Sequence, residues 1–236
     1  MFYPVAAGKQ EIVKDGLVLW LDANDKTSYP GAGTTWRDLT PGDNNGTLTN
    51  GPTFDSGNGG SIVFDGVDDY VDGIQEVTFP IGSQDQTIET VAYLGSKSIH
   101  GIFSYGDNTA GGRIELGCRD TWIVVALGFG AYGVNDSNNF GKWVHITAIP
   151  GTTTADLTLY INGESKAVSK QAGTSYTKNT TSTGRYFVGT IPDTSGGPFS
   201  GYTLNGSVAY VRLYNRALTA EEILQNYNAT KDRFGL

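Results

Sequence analysis

The sequence is poor in the residues that cross-link small folds or carry out most catalysis. Its 236 residues include one cysteine, one methionine and two histidines. The single cysteine, Cys118, cannot form an intramolecular disulfide, so we expect packing alone to hold the fold and Cys118 to be a small buried residue. No Ser/His/Asp arrangement is indicated around His100 or His145. Because His145 alternates with Trp143 and Thr147, we interpret it as a hydrogen-bonded histidine of a sheet.

Positive charge and long apolar runs are also scarce. Sixteen Lys and Arg against 24 Asp and Glu give a net charge of −8, and the basic residues are scattered. This disfavours nucleic acid and anionic membrane surfaces as partners. No segment is apolar for long enough to span a bilayer. Residues 1–10 have no basic region followed by a long apolar run, so the sequence predicts no secretion signal.

Glycine and aromatic residues are abundant, with Gly 33, Tyr 13, Phe 10 and Trp 4. This composition is typical of many short strands joined by glycine-rich turns, and only the region after Thr219 has helical periodicity. The predicted class is therefore all-β with one short C-terminal helix. We interpret residues 15–236 as a single domain and residues 1–14 as an N-terminal arm, either a disordered terminus or a strap that docks on a neighbouring sheet edge.

The most informative stretch runs from Leu204 to Tyr227. Alternation predicts a strand with Val208, Tyr210, Arg212 and Tyr214 on one face and Ala209, Val211 and Leu213 on the other. A helix follows, because Thr219 at the N-cap and Glu222 three residues later form a capping box. Its predicted apolar stripe is Ile223, Leu224 and Tyr227. A hairpin is predicted where residues 157–161 return through Asn162-Gly163, a pair suited to a type I′ turn.

A family resemblance is carried by four segments taken in order: residues 61–71, 143–146, 159–163 and 204–227. Residues 16–227 resemble a laminin-G-like domain, which has the concanavalin A-like lectin/glucanase jelly roll. The resemblance implies two curved antiparallel sheets packed face to face in a sandwich. It also implies carbohydrate, calcium or protein ligands at a rim or on the concave face.

A narrower resemblance involves both ends of the chain, at residues 12–19, 22–23, 29–36, 224–231 and 233–235. These look like the laminin-G-like structural proteins of tailed bacteriophages. The resemblance implies a non-enzymatic virion protein (a capsid decoration, head fibre or tail-associated protein) made in the host cytoplasm and oligomeric on the particle. Its partners would be other virion proteins, held through the arm and one sheet edge or loop set. The alternative is a carbohydrate-binding module that recognises host-surface glycans.

Calcium is the cofactor to consider. Asp65, Asp68, Asp69 and Asp72 supply hard oxygen ligands within one turn. However, the spacing is not that of an EF-hand loop, and a solvated turn has the same composition. Calcium-binding members of the resembled family often have an acidic residue in the last strand, where this chain has Ala209. We therefore expect no cofactor, with Asp65, Asp68 and Asp69 as weak candidates for a structural calcium site.

Hydrolysis and sugar binding are the remaining chemistries. Glycosidases need two carboxylates flanking the scissile bond, and the Glu-x-Asp-x-Glu pattern common in hydrolases of the resembled fold does not occur here, so we expect no catalytic residues. A sugar site combines an aromatic platform with polar groups. The candidates for ligand binding are Tyr105, Asp107, Arg113, Arg119 and Trp122. The competing interpretation is that the two aromatic residues pack in the core or at an edge and the polar ones form turns.

Overall fold

The computed structural model describes residues 10–75, 78–95, 98–182 and 184–236. The first nine residues of the predicted arm lie outside the described residues, and the division into arm and domain stays a prediction. The strands of the described part are β1 (Leu17–Asp22), β2 (Thr35–Trp36), β3 (Gly46–Thr49), β4 (Thr53–Asp55), β5 (Ser61–Asp65), β6 (Tyr70–Ile74), β7 (Thr87–Leu94), β8 (His100–Gly106), β9 (Arg113–Arg119), β10 (Trp122–Leu127), β11 (Gly130–Asn135), β12 (Trp143–Ile149), β13 (Thr158–Ile161), β14 (Glu164–Lys166), β15 (Ser169–Ala172), β16 (Arg185–Val188) and β17 (Asn205–Tyr214). An α-helix, α1 (Ala220–Thr230), follows the last strand.

The strands form two antiparallel sheets. The first sheet has the order β14-β13-β12-β7-β17-β5-β4, and β1 also pairs with β17. The second has the order β15-β11-β10-β9-β8-β16-β6-β3-β2. The predicted all-β sandwich of two antiparallel sheets with one short C-terminal helix is confirmed. Among the described residues, no helix is both long and apolar enough to cross a membrane.

The main core lies where the inner faces of the two sheets meet. Strand β9 contributes Ile114, Leu116 and Cys118 to this core, and these residues alternate with residues of the opposite face. Cys118 is fully buried, and burial raises the pKa of its thiol. The prediction that this cysteine serves as a small core residue is confirmed.

The last strand departs from simple alternation at Ala209. The pairing of β17 with β7 shifts between Val208 and Tyr210, so Ala209 is the extra residue of a β-bulge. Val208 lies in the main core with Val211 and Leu213, whereas Ala209 packs with Tyr210 on the other face. The predicted faces of Val208 and Ala209 were therefore wrong, because a bulge shifts the alternation by one residue.

The helix begins as predicted but buries a different face. The hydroxyl of Thr219 accepts the Glu222 N–H at 3.3 Å and the Glu222 carboxylate accepts the Thr219 N–H at 2.9 Å, which confirms the capping box. Leu224 is 47% exposed, so its place in the apolar stripe was wrong. The buried positions are Ile223, Asn226 and Thr230.

The predicted hairpin is confirmed. Strands β13 and β14 pair across Asn162-Gly163, and both turn residues have positive φ, 52° and 76°. Such angles are those of a type I′ turn, whose twist matches the strands. This hairpin forms one edge of the first sheet.

Candidate functional site

The outer face of the second sheet, which points away from the main core, carries a pocket of about 200 Å³. Its floor comes from β9, and its walls come from the loops at residues 107–112, 128–129 and 190–203. The lining residues are Asn108, Arg113, Arg119, Gly128, Phe129, Ile191, Phe199 and Tyr202. They are far apart in sequence, and the sheet brings them together.

Arg113 ties the three loops to one another. Its Nη1 donates to Asn108 Oδ1 and, at 3.4 Å, to the carbonyl of Pro192. Its Nη2 donates to the carbonyl of Gly128 at 2.9 Å and to Glu115 Oε2 at 3.0 Å. The side chain is almost fully buried; burial lowers the pKa of its guanidinium and Glu115 opposes that shift. Arg113 thus forms the frame of the pocket.

Beneath the pocket, Glu115 is fully buried between two arginines. Its Oε2 lies 3.0 Å from Arg113 Nη2 and 3.6 Å from Arg119 Nη2. Glu115 Oε1 and the Nε atoms of both arginines are buried without a hydrogen-bond partner. An unpaired buried polar atom costs about 1 to 3 kcal/mol. The pocket therefore has a charged floor that is not fully hydrogen-bonded within the protein.

Aromatic rings stand on either side of the arginines. Phe129 is 54% exposed at the tip of the β10–β11 hairpin. Gly128 has φ +61° and the strands close at the Leu127–Gly130 pair, as in a two-residue turn that needs glycine first. On the opposite wall, the rings of Phe199 and Tyr202 meet edge to face, 4.8 Å apart. The hairpin therefore holds an apolar ring out towards solvent.

The 190–203 loop is fixed to β8 by hydrogen bonds to its backbone carbonyls. Ser104 Oγ donates to the carbonyl of Thr190 at 2.9 Å, and the Gly101 N–H donates to the carbonyl of Tyr202 at 3.2 Å. A Cβ at Gly101 would lie 2.6 Å from the Thr190 carbonyl oxygen, closer than real Cβ atoms come. Glycine at this position allows the loop to lie against the strand and to place its aromatic rings.

The structure brings some of the predicted ligand-binding residues together. Arg113 and Arg119 both line the pocket. Asp107 lies in the same loop as Asn108, and its carboxylate accepts a hydrogen bond from the Thr109 hydroxyl. Asp107 is therefore a loop-shaping residue beside the pocket.

The two predicted aromatic residues lie elsewhere. Trp122 is directly opposite Arg119 in the β9–β10 pairing and packs on a small apolar cluster of the same outer face. Tyr105 points into the main core, is fully buried, and donates its hydroxyl to the carbonyl of Pro80 at 3.1 Å. The structure places Tyr105 out of reach of any ligand at this pocket.

The aromatic residues that do line the pocket were missed by the sequence analysis. Phe129, Phe199 and Tyr202 were not among the candidates for ligand binding that the sequence analysis named. The available signal was an aromatic residue inside a glycine- and serine-rich turn, where no strand alternation accounts for it. Such isolated aromatic residues in turns are candidates for ligand contact.

The acidic turn after β5 is compact. Ligand atoms of Asp65, Asp68 and Asp69 lie within 4.8 Å of one another. Asp69 Oδ2 already accepts the N–H of Asp65 at 3.0 Å, and burial raises the pKa of Asp69. Asp72 is used elsewhere, in an ion pair with Arg185. The expectation of no cofactor, with Asp65, Asp68 and Asp69 as weak candidates for calcium, stays a prediction, and ordinary turn hydrogen bonds account for part of the geometry of the turn.

A second polar cluster lies between α1 and the outer face of the first sheet. Glu89, at its centre, is fully buried and accepts hydrogen bonds from Arg212 Nη1 and Asn226 Nδ2, both at 2.6 Å. His145 Nε2 lies 3.4 Å from Glu89 Oε1, and the His145 ring is also fully buried. The Asn226 Oδ1 atom accepts the N–H of Val13 at 2.8 Å. The cluster therefore fastens α1 and residues 10–14 to the sheet.

Acid is expected to loosen this cluster through Glu89. Burial alone would raise the pKa of its carboxyl, but the charge of Arg212 and polar contacts from His145 and Asn226 outweigh burial and lower it from 4.5 to about 2. Such a group stabilises the fold above its unfolded pKa and loses that contribution as the pH falls towards its folded pKa. We expect the urea midpoint, followed by tryptophan fluorescence, to fall as the pH drops from about 4.5 to 2. An equal fall in a Glu89→Gln variant would contradict this assignment.

Comparison with known proteins identifies the family. Residues 64–224 match the Laminin_G_3 family, described as the concanavalin A-like lectin/glucanases superfamily. No curated protein matches the chain.

Several solved structures share the fold at low identity. The binding domain of botulinum neurotoxin DC in complex with SialylT has 14% identity and a TM-score of 0.63, over 92% of this chain and 52% of that one. Domain 4 of an extracellular arabinanase from Geobacillus stearothermophilus, in complex with arabinotriose, has 15% identity and a TM-score of 0.63, over 89% and 98%. A Trypanosoma rangeli sialidase with sialic acid has 15% identity and a TM-score of 0.58, over 94% and 34%. The chain spans about half the length of the toxin binding domains it matches.

Proposed function

The chain belongs to the Laminin_G_3 family of the concanavalin A-like lectin/glucanases superfamily, and from this we propose that it is a carbohydrate-binding domain whose site is the pocket on the outer face of the second sheet. One observation carries the proposal: the exposed ring of Phe129 and the half-buried rings of Phe199 and Tyr202 line the pocket above buried charged groups that are only partly hydrogen-bonded within the protein. Sugars have apolar C–H faces and a rim of hydroxyls, which suit rings and polar groups respectively. The arabinanase and toxin domains, solved with arabinotriose and SialylT, support sugars as the ligand class.

We propose binding without hydrolysis. Glycoside hydrolysis needs two carboxyl groups about 5 to 9.5 Å apart. Among the described residues that line the pocket there is no carboxylate, and Glu115 beneath it is buried against two arginines. The described residues of the pocket therefore include no acid that could protonate a leaving group. The site therefore favours recognition over bond cleavage.

Replacing Phe129 with alanine is expected to weaken sugar binding about five- to tenfold, because an aromatic ring that packs on a sugar face contributes on the order of 1 kcal/mol. Phe129 is 54% exposed, so its loss leaves the core intact. A glycan array would first identify bound oligosaccharides, and calorimetric titration would then compare the variant with the wild type.

Leu224→Ala is the matched control for this variant. Leu224 is another exposed apolar residue, 47% accessible, on α1 and away from the pocket. It should bind as the wild type does. If Phe129→Ala also binds as the wild type does, the pocket is not the sugar site. If an array that includes host-surface polysaccharides gives no binding at all, the carbohydrate proposal fails.

We also propose that the domain is carried on the particle of a tailed bacteriophage as a non-enzymatic structural protein. The support is the resemblance of both chain ends. These ends also contact each other in the fold: the Val13 N–H donates to Asn226 Oδ1, and Gln225 Nε2 donates to the carbonyl of Glu11 at 2.8 Å. Mass spectrometry of purified particles would find the protein at fixed copy number, and its absence would end the proposal. Anchoring by the arm is tested by removing residues 1–9 alone, because residues 11 and 13 bond α1.

A further inference from the structure

The charges of the three residues that form the floor of the pocket, Arg113, Glu115 and Arg119, do not cancel. Glu115 is the carboxylate buried under the pocket, and its Oε2 lies closer to Arg113 (3.0 Å) than to Arg119 (3.6 Å). Arg113 also has three neutral acceptors, on three loops. One negative charge is thus matched to one arginine. The guanidinium of Arg119 adds a positive charge to the pocket, and among the described residues no second buried carboxylate pairs with it.

Arg119 also has unused hydrogen-bond donors. Its side chain is 14% exposed, whereas that of Arg113 is 4% exposed, so Arg119 is the arginine that a ligand can reach. Its Nε is buried and has no partner. Among the described residues, the guanidinium of Arg119 forms an ion pair with Glu115. The distance from Arg119 Nη2 to Glu115 Oε2 is 3.6 Å, which is longer than a hydrogen bond. A planar guanidinium with free donors binds a pair of oxygens on one anion well.

Within the described structure, the other carboxylates near the pocket do not neutralise the charge of Arg119. Asp120 follows Arg119 directly, but it is exposed in the β9–β10 turn with φ 55°, and no described ion pair joins the two. Asp107 accepts the Thr109 hydroxyl within the 107–112 loop, and Asp193 of the 190–203 loop accepts the Ser195 hydroxyl at 2.7 Å and the Gly197 N–H at 2.9 Å. The positive charge of Arg119 is therefore directed to the pocket, between Phe129 on one side and the aromatic pair of the 190–203 loop on the other.

We propose that this pocket selects anionic sugars, whose carboxylate or sulfate oxygens bind the guanidinium of Arg119 while the sugar ring packs on the neighbouring aromatic residues. The proposal rests on the carbohydrate-binding function proposed above and names its ligand class. Charge-assisted hydrogen bonds are about twice as strong as neutral ones. An anionic sugar is therefore expected to bind at least about tenfold more tightly than the same sugar without its charge.

The experiment uses the full chain and matched pairs of glycans. One arm prints oligosaccharides of glucuronic, galacturonic and sialic acid beside their methyl esters. The other arm prints sulfated oligosaccharides beside their desulfated forms. Preference for the acid over the ester identifies a carboxylate ligand, and preference for the sulfated form identifies a sulfate ligand; either supports the proposal. Equal binding within every pair overturns the anionic preference and leaves carbohydrate binding standing. No binding to any member overturns the anionic preference, and the carbohydrate proposal falls with it only if the wider glycan array also gives no binding.

Variants assign the preference to Arg119. Arg119→Gln is expected to reduce the charged-to-neutral preference to within about twofold, and Arg119→Lys to retain part of it, because lysine keeps the charge without the planar fork. Arg37→Gln, an exposed arginine outside the pocket, is the control and should keep the preference. A preference unchanged in Arg119→Gln overturns the assignment. The wild-type pairs test the ligand class even if a variant fails to fold.

Discussion

Replacing Glu89 with glutamine is expected to lower the free energy of unfolding by about 3 to 5 kcal/mol, because it leaves Arg212 buried without its counter-charge. The Arg212 side chain is 1% exposed. Its guanidinium lies 4.0 Å from the ring centre of Tyr210 and 5.6 Å from that of Trp20, so it cannot turn out to water without disrupting both contacts. Asn226 also loses a charged acceptor at 2.6 Å. Urea unfolding at neutral pH measures the change.

Glu164→Gln is the matched control. Glu164 pairs with Lys166 at 2.8 Å, but its side chain is 76% exposed, so its loss should leave the urea midpoint unchanged. The double variant Glu89→Gln/Arg212→Met should recover part of the lost stability, since removing both charges of a buried pair is better tolerated than removing one. If Glu89→Gln shifts the midpoint no more than Glu164→Gln does, the cluster does not fasten α1.

This cluster shows what alternation and helical spacing can and cannot predict. The capping box and the Asn162-Gly163 turn were predictable because each depends on residues close in sequence. The bulge at Ala209 was not, because Val208 and Ala209 are both apolar and either fits either face. Leu224 has the spacing of a buried residue, yet the helix rests on a polar surface and buries Asn226 instead.

The candidate site also has one part that the sequence can predict and another part that it cannot. Arg113 and Arg119 share one face of β9 at even spacing, so alternation alone places them together. Phe199 and Tyr202 reach them from a loop some 80 residues later, through contacts that no local pattern encodes. The sequence did not predict that Tyr105 points into the core, for another reason. The register of β8 is irregular between Gly101 and Phe103, and this breaks the alternation of the strand just before Tyr105.

Replacing Arg113 with methionine is expected to remove ligand binding and to lower the free energy of unfolding by about 3 to 5 kcal/mol, because Glu115 is left buried with its nearest counter-charge gone. The same change releases three loops at once, since Arg113 bonds Asn108, the carbonyl of Pro192 and the carbonyl of Gly128. Those loops hold the aromatic walls of the pocket. Urea unfolding measures the stability, and titration with a glycan identified on the array measures binding.

A double variant separates the charge of Arg113 from its role in holding the three loops together. In Arg113→Met/Glu115→Met the unpaired carboxylate is gone, so we expect much of the stability to return, because a buried ion pair can be replaced by apolar residues of similar size at little cost. Binding should stay lost, because methionine cannot hold the carbonyls of residues 128 and 192 and the aromatic walls are no longer tied. Arg37→Met, at an exposed position, controls for loss of an arginine. Wild-type affinity in the double variant would show that Arg113 contributes only charge balance and that the pocket walls are positioned without it.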